Sequence, residues 1–510
     1  MKRKYFLLSI VVILVILLSG CTLSSSEPAD KLTIYSVNDF HGAIQEDEGK
    51  YGISRLGNYI MQAKQENPNE VVVVSAGDMF QGTGISNYNK GLNVIEMMNI
   101  IGFDAMTIGN HEFDWGIDTI LNYRDGDNKN GEADFPFLAA NILYKDSNLI
   151  PENIEPYTII ERGGLKIGII GYIGYGLEDD IATKMIEDYY FALPVNAVEP
   201  FVVELRTEKN CDVVIAVGHD ASDANNQALA NLTDDARIDA IVNGHLHLDT
   251  SSYVTSVDGR KVPVVQAGSS GEYVGVISFD VDPTTKTLSN PVSATVLMDG
   301  SKQTNKKLNN YVSDLVKETE PYFGRILAEA GEKVTVSAVR KWAPSVVQKY
   351  MNVEIAFVNN GGIRSDAFPI AKDENVDVAK VYQIMPFDNI MKTCMLKGSD
   401  VLKALNNSSF MYSNTVSKSG GLFYINGELV LTTTATSVKM IDLGLEPSAE
   451  GEHYEITVKA LTEDVRYYGD SALSEVLEYA MPNSTELSAP VVELNEDIAR
   501  IYGDSFYNTQ

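Results

Sequence analysis

The feature that most constrains the fold is a series of short β-rich runs, each of which ends in a polar or glycine-rich turn. The runs are KLTIYSVNDF, EVVVVSAGD, FDAMTIGN, LKIGIIGYI, CDVVIAVGH and IDAIVNGH. Between them apolar residues recur at helical spacing, as at Ile53, Leu56 and Ile60, and Gly102 stands at a predicted helix end. Strands that alternate with helices predict an α/β architecture.

Five of the six histidines lie in motifs that also carry an aspartate or asparagine, at the ends of the predicted strands. The candidate metal ligands in these motifs are Asp39, His41, Asp78, Asn110, His219, His245 and His247. Open α/β sheets place their sites at the carboxyl ends of strands, so we expect these side chains to meet. A single buried histidine is more often a hydrogen-bonded core residue, but the repetition of the pattern favours a metal site.

The donor types narrow the choice of metal. Carboxylate, imidazole and amide oxygen form a mixed set that favours Mn, Zn, Fe or Co over Mg or Ca. Side chains two apart in a strand face the same way, which predicts that Asp39 and His41 act together, as do His245 and His247. We expect glycines 77 and 109 to allow a tight turn and a close backbone approach.

Residues 1–21 differ from the rest of the chain. Lys2, Arg3 and Lys4 precede an apolar run that closes with L-S-G-C at Cys21, which predicts an export signal. The run is shorter than the roughly 20 residues that span a bilayer, which disfavours an uncleaved anchor. The L-S-G-C ending resembles the bacterial lipobox, which implies a lipid on Cys21, a flexible tether over 22–30 and an extracytoplasmic, membrane-anchored protein. An ordinary secretory signal is the alternative.

Cysteine content and charge exclude several classes of protein. Beyond Cys21 only Cys211 and Cys394 remain, in different predicted domains, so we expect no disulfide framework. The net charge of −30 argues against a basic surface for a nucleic-acid polymer. An anionic substrate stays compatible with this acidity, because exposed charges are screened beyond about 8 to 10 Å. No obligate protein partner is evident.

A chain of 510 residues is too long for one ordinary core. The strand pattern is lost over 299–330, which has the character of a helical linker. We therefore predict a first domain over 31–298 and a second, mixed α/β domain over 331–510. If these domains hold different parts of a substrate they must close over it, with the linker as the hinge.

The motif order D-x-H, G-D, G-N-H-E, H and G-H-x-H resembles the calcineurin-like metallophosphoesterases, and GNHEFDWG with NNGGIRSD and MPFDN resembles the secreted 5′-nucleotidases. The resemblance implies a four-layer αββα sandwich with a dinuclear site, followed by a substrate domain. It implies one ion on Asp39, His41 and His247, another on Asn110, His219 and His245, and a bridging Asp78. Two such ions can hold a hydroxide for in-line attack on phosphorus.

By the same resemblance His111 is the catalytic histidine and Asp114 its partner carboxylate; a helix cap is the alternative for Asp114. The substrate pocket is implied to contain Asn359, Arg364, Phe387, Asp470 and, more weakly, Arg340. The sequence departs from the family at the second base-stacking aromatic, where Asp464 stands. Tyr467 or Tyr468 could supply a substitute ring.

The resulting hypothesis is an extracytoplasmic enzyme that hydrolyses nucleoside 5′-monophosphates to nucleoside and phosphate. Hydrolysis of 2′,3′-cyclic nucleotides, 3′-nucleotides or nucleotide sugars stays open, because the base site departs from the family. A binding lipoprotein that has kept the fold without the activity is the alternative from another class.

Overall fold

The computed structural model describes residues 30–47, 50–129, 131–300, 303–351 and 355–386, together with short stretches between 405 and 432. None of the helices in these ranges combines the length and the apolar character that crossing a bilayer requires.

The first part of the chain contributes most of the strands. In chain order they are β1 (Lys31–Val37), β2 (Glu46–Asp47), β3 (Lys50–Tyr51), β4 (Val71–Ser75), β5 (Ala105–Thr107), β6 (Phe137–Leu138), β7 (Ile142–Tyr144), β8 (Tyr157–Arg162), β9 (Leu165–Ile173), β10 (Tyr189–Phe191), β11 (Val213–His219), β12 (Ala240–Asn243), β13 (Asp249–Thr255), β14 (Lys261–Ala267), β15 (Tyr273–Val281) and β16 (Leu288–Leu297).

Helices separate these strands as the periodicity predicts. They are α1 (Gly52–Glu66), α2 (Gly84–Asn87), α3 (Leu92–Ile101), α4 (Ile117–Leu121), α5 (Thr183–Ile186), α6 (Pro194–Thr207), α7 (Asp223–Ala230) and α8 (Lys306–Phe323). Gly102 ends α3 in the left-handed conformation, with φ of 82°, which glycine adopts at little cost.

Two six-stranded sheets form the centre of this part, in the orders β16-β15-β1-β4-β5-β6 and β13-β14-β12-β11-β9-β8. Strands β1, β4, β5 and β6 run parallel, as do β9, β11, β12 and β14. The other four strands are antiparallel to their neighbours.

Alternation along β4 shows how the layers form. Val72 and Val74 pack between the sheets with Ile169 of β9, whereas Val71 and Val73 point outward into a separate cluster. That outer cluster contains the buried faces of α1 and α3, and α6 and α7 cover the outer face of the other sheet. The predicted four-layer αββα sandwich is confirmed.

The second part is built from smaller sheets. Its strands are β17 (Ile326–Glu329), β18 (Phe357–Asn359), β19 (Asn375–Asp377), β20 (Phe410–Tyr412), β21 (Val416–Ser419), β22 (Leu422–Ile425) and β23 (Glu428–Thr432), and its helices are α9 (Val336–Met351) and α10 (Val378–Ile384). Helix α8 connects the two parts: Leu308 and Leu315 pack into the core of the first, whereas Phe323 packs into that of the second.

Candidate metal centre

The predicted ligands come together where five strands end. Strands β1, β4 and β5 of one sheet and β11 and β12 of the other are each followed by, or end in, a motif with a candidate ligand. Because parallel strands end at a common edge, these short turns converge on one site that both sheets share.

The conformation of the turns corrects one prediction. Asp39 and His41 lie beyond the end of β1, and His245 and His247 lie beyond β12, so strand alternation does not orient them. All four have positive φ angles, of 48°, 49°, 81° and 57°. Non-glycine residues adopt such angles at a cost, and these concentrate at functional sites. Left-handed turns, rather than strand alternation, orient these ligand pairs.

Asp39, His41 and His247 form the first cluster, with ligand atoms within 4.8 Å of one another. Nε2 of His247 lies 3.1 Å from Nε2 of His41 and 3.3 Å from Oδ1 of Asp39. Oδ1 of Asp39 is buried and accepts no hydrogen bond from the residues that the structure describes. A buried carboxylate oxygen that faces two imidazole nitrogens fits a divalent cation.

Asn110, His219 and His245 form a second set next to the first. Oδ1 of Asn110 lies 2.9 Å from Nε2 of His219 and 3.2 Å from Nδ1 of His245. Asp78 lies between the two sets: its Oδ2 is 3.2 Å from Nε2 of His219, and it also clusters with Asp39. All seven predicted ligands therefore lie in one continuous site.

Backbone carbonyl groups orient two of the imidazoles. Nδ1 of His219 lies 2.8 Å from the carbonyl oxygen of Ala76, and Nδ1 of His41 lies 3.0 Å from that of Gln81. A protonated Nδ1 that donates to these oxygens leaves Nε2 facing the cluster, and such outer contacts fix the tautomer of metal-binding histidines.

The ionisable groups of the site shift one another's pKa values. Burial raises the pKa of the Asp78 carboxyl, but His219 and His111 outweigh burial and hold it well below its usual value. Burial lowers the pKa of His219, and Asp78 more than reverses this, raising it to about 10. Burial and the charge of His111 lower the pKa of His41 to about 3. A neutral His41 imidazole and an ionised Asp78 carboxylate are the protonation states that cation binding requires.

His111 contacts the cluster from one side. Its Nδ1 lies 2.8 Å from Oδ2 of Asp114, and its Nε2 lies 4.0 Å from Oδ2 of Asp78. Burial lowers the pKa of His111, but Asp114 and Asp78 outweigh burial and raise it to about 9. The carboxylate of Asp114 therefore contacts the imidazole, and it accepts no helix-cap hydrogen bond among the described contacts.

Glu112 is a residue of the site that the sequence reasoning missed. It is fully buried, and its carboxylate accepts hydrogen bonds from the backbone N–H groups of Gly109, Asp78 and Met79 at 2.7, 2.9 and 3.0 Å. Glu112 thus holds together the turns that carry Asp78 and Asn110. The signal was its place inside GNHE, where a carboxylate directly follows two site residues.

Asn38 and two glycines also shape the turns that carry the candidate ligands. Asn38 is buried and donates to Oδ2 of Asp39 at 2.7 Å, while its Oδ1 accepts from Ala267 at 2.7 Å. Gly77 has φ of 86°, and a side chain on Gly109 would collide with the Asp78 carboxylate. The turn at Gly77 is tight, and the backbone at Gly109 lies close to the Asp78 carboxylate; a close approach of these glycines to metal ions stays a prediction.

The candidate substrate residues belong to the second part. Arg364 lies close enough for its charge to lower the pKa of both His41 and His111. Arg340, in α9, donates to the carbonyl oxygen of Ile363 at 3.4 Å, directly before Arg364. Asn359 is the last residue of β18, and the structure describes its backbone but not its side chain. Further predicted residues lie outside the described residues: Cys21, Phe387, Asp464, Tyr467, Tyr468 and Asp470.

Comparison with known proteins agrees with this geometry. Residues 32–249 match the calcineurin-like phosphoesterase family and residues 313–441 match the 5′-nucleotidase C-terminal domain. The chain is 30% identical over 439 residues to a snake venom 5′-nucleotidase from Gloydius brevicauda, covering 76% of this chain and 71% of that protein. The chain belongs to the 5′-nucleotidase family.

Other members of the 5′-nucleotidase family align over a similar length. The 5′-nucleotidase of Rattus norvegicus is 29% identical over 434 residues, which are 76% of this chain and 73% of that protein. The crystal structure of a 5′-nucleotidase precursor from Thermus thermophilus has the same fold, with a TM-score of 0.62 at 20% identity over 94% of this chain and 97% of that one. Membership of the family makes the chain a metal-binding hydrolase of phosphate esters.

Proposed function

We propose that this chain hydrolyses nucleoside 5′-monophosphates to nucleoside and phosphate. The observation that carries the proposal is that the seven candidate ligands and His111 lie in one site. Arg364, a residue of the 5′-nucleotidase C-terminal domain, lies close enough to this site for its charge to lower the pKa of His41 and His111. A guanidinium group there can bind a phosphate that the metal centre also contacts. The two parts of the chain would thereby share one substrate.

Two divalent cations, Mn, Zn, Fe or Co, would supply Lewis-acid polarisation of the phosphoryl group and a clamp for its oxygens. Asp39, His41 and His247 would hold one of them. Asn110, His219 and His245 would hold the other, with Asp78 shared between them. The distances among these side chains support this assignment, as does the buried Oδ1 of Asp39, which accepts no hydrogen bond within the described residues.

His111 would act on the leaving group. Its Nδ1–H donates to Asp114, so its protonated Nε2 faces the cluster and can give a proton to the nucleoside oxygen as the P–O bond breaks. The Asp114 carboxylate would hold the ring in place and favour the charged form that can donate.

The direct test is phosphate release from AMP by residues 22–510, with manganese and with a chelator. We expect metal-dependent release, and a loss of more than about 100-fold in Asp78→Asn, since changes in outer contacts of a metal already cost about 10- to 100-fold. Asp314→Asn, which alters an exposed carboxylate on α8, is the matched control.

The outcomes separate the alternatives. Cleavage of bis(p-nitrophenyl) phosphate or 2′,3′-cyclic AMP with AMP intact would replace the proposal by a phosphodiesterase, consistent with Asp464 at the place of the base-stacking aromatic. No release from any substrate by metal-loaded protein would contradict a hydrolytic role and favour a binding lipoprotein.

We also propose that Cys21 carries a lipid that anchors the protein on the outer side of the bacterial membrane, with residues 22–30 as the tether. The apolar run that ends in L-S-G-C supports this proposal. A single Cys21→Ala substitution should move the protein from the membrane fraction to the soluble fraction and abolish labelling by an alkyne fatty acid. Unchanged labelling would show that the lipid is not on Cys21.

A further inference from the structure

The carbonyl oxygen of Pro386 accepts hydrogen bonds from two side chains of the first part. Nε2 of Gln81 donates to it at 2.6 Å and Nδ2 of Asn87 donates at 3.0 Å. Pro386 is buried, and so is Gln81. A carbonyl oxygen has two lone pairs, so the two amides together satisfy it fully.

The orientation of the Asn87 amide is set from the other side. Its Oδ1 accepts a hydrogen bond from the backbone N–H of Gly82 at 3.1 Å, which leaves the NH₂ group facing Pro386. Asn87 ends α2, and the preceding loop leads back to Asp78 without a break. The contact therefore joins the loop after Asp78 to the second part of the chain, with the Asn87 amide held in one orientation.

On each side of this contact, a further hydrogen bond connects it to a candidate site residue. On the first side, the backbone carbonyl oxygen of Gln81 lies 3.0 Å from Nδ1 of His41. On the second side, the carbonyl oxygen of Ile384, two residues before Pro386, accepts from the backbone N–H of Arg364 at 2.9 Å. His41 is thus connected to Arg364 by three hydrogen bonds. The first two meet at Gln81, and two peptide units lead from Pro386 to Ile384, where the third begins.

We propose that Gln81 and Asn87 are positioning residues that hold Arg364 in place relative to the loop after Asp78 by binding the Pro386 carbonyl group. Arg364 would bind the phosphate group of the substrate, so the inference rests on the proposed function. Neither amide touches the substrate. When their contact with Pro386 is lost, the second part can still bind to the first, but the arginine is no longer held at the distance that phosphate requires.

Packing next to the contact indicates that its loss would not separate the two parts. The ring of Phe323 lies 6.1 Å from that of Tyr88 in the first part and 5.7 Å from that of Tyr382 in the second. It also lies against Gly84, where a side chain would come within 2.8 Å of it. This aromatic seam of Tyr88, Phe323 and Tyr382 contains neither Gln81 nor Asn87.

The test is the affinity of the manganese-loaded full-length protein for inorganic phosphate, measured by calorimetry. Asn87→Asp keeps an acceptor for Gly82 but places a carboxylate oxygen against the Pro386 carbonyl. We expect the Kd for phosphate to rise about tenfold, and the KM for AMP to rise more than kcat falls. Gln81→Met, which removes the other donor without adding charge, should have an effect in the same direction.

Asn89→Asp is the matched control, because Asn89 lies two residues after Asn87, in the turn that follows α2, and its Oδ1 accepts from the backbone of Asn93 at 3.3 Å. It adds the same charge without touching Pro386 in the described contacts, and should leave the Kd within about twofold. Equal Kd values for Asn87→Asp and Asn89→Asp would overturn the inference. Metal content, measured in each variant, should equal that of the wild type.

A double-mutant cycle with Arg364→Ala separates positioning from a general structural effect. If the amides act through Arg364, adding Asn87→Asp to Arg364→Ala should weaken phosphate binding no further. Additive losses would overturn the inference. Wild-type protein that binds phosphate but leaves AMP intact would contradict the proposed function alone, since the phosphate affinities still test the positioning role.

Discussion

His41, His219 and His111 differ in the group that contacts their Nδ1 atom, and this difference distinguishes a metal ligand from a proton donor. Backbone carbonyl oxygens hold His41 and His219, which keeps each ring in one orientation without adding charge. A carboxylate holds His111 and raises its pKa. A neutral partner suits a metal ligand, and a charged partner suits a residue that must carry a proton.

This distinction predicts a change in pH dependence for Asp114→Asn. Burial lowers the pKa of His111, and the Asp114 carboxylate is the largest influence that raises it. Without that charge the imidazolium loses its proton at lower pH, so the alkaline limb of kcat against pH should move down. At pH 8 we expect kcat to fall about 10- to 100-fold.

The measurement is kcat from pH 6 to 10 at saturating metal. Asp118→Asn is the control, because Asp118 is an exposed carboxylate four residues further along the chain. An alkaline limb that stays in place in Asp114→Asn, with an unchanged kcat, would contradict the assignment of His111 as the acid.

Among the secondary-structure elements, helix α8 is attached to the first part of the chain by side-chain hydrogen bonds. Tyr311 on α8 donates its hydroxyl proton to the Glu96 carboxylate of α3, and the same hydroxyl oxygen lies 3.0 Å from the Asn93 side-chain amide. Burial and the Glu96 carboxylate raise the pKa of Tyr311 above its ordinary value. These contacts fix the start of the linker to the first part while its end packs on the second.

Tyr311→Phe should lower the free energy of unfolding by about 1 to 3 kcal/mol, because it leaves a carboxylate without its donor. The folded state holds the phenol proton to higher pH than the unfolded state, so this stabilisation is present below about pH 10 and is lost as pH rises further. Urea unfolding of both proteins at pH 8 and at pH 10.5 should show the gap narrow. Equal stabilities at pH 8 would contradict it.

At the level of the whole molecule, the two parts meet at the metal centre and along the aromatic seam of Tyr88, Phe323 and Tyr382. The arrangement brings Arg364 near His111. We expect a substrate held by both parts to enter before they meet in this way and to leave after they separate. The hinge that the sequence predicts between 299 and 330 includes α8, which packs on both cores.

A reversible cross-link tests the need for this movement. Tyr88→Cys and Tyr382→Cys, joined by a short disulfide-containing reagent, should hold the two parts together. We expect AMP turnover to stop while both metals stay bound, and to return on reduction. Either single substitution treated with the same reagent is the control. Full turnover by the joined protein would show that separation is unnecessary.

Local sequence patterns were enough to predict the order of strands and helices and to select the candidate ligands. Periodicity and donor chemistry are local properties, and β4 with its four valines or α3 with Gly102 needed no tertiary information. Tertiary structure decided the rest. Left-handed turns rather than strand alternation orient Asp39 and His41, and three backbone donors from two turns converge on Glu112. Contacts between residues far apart in sequence, such as Gln81 with Pro386, leave no local pattern from which they could be predicted.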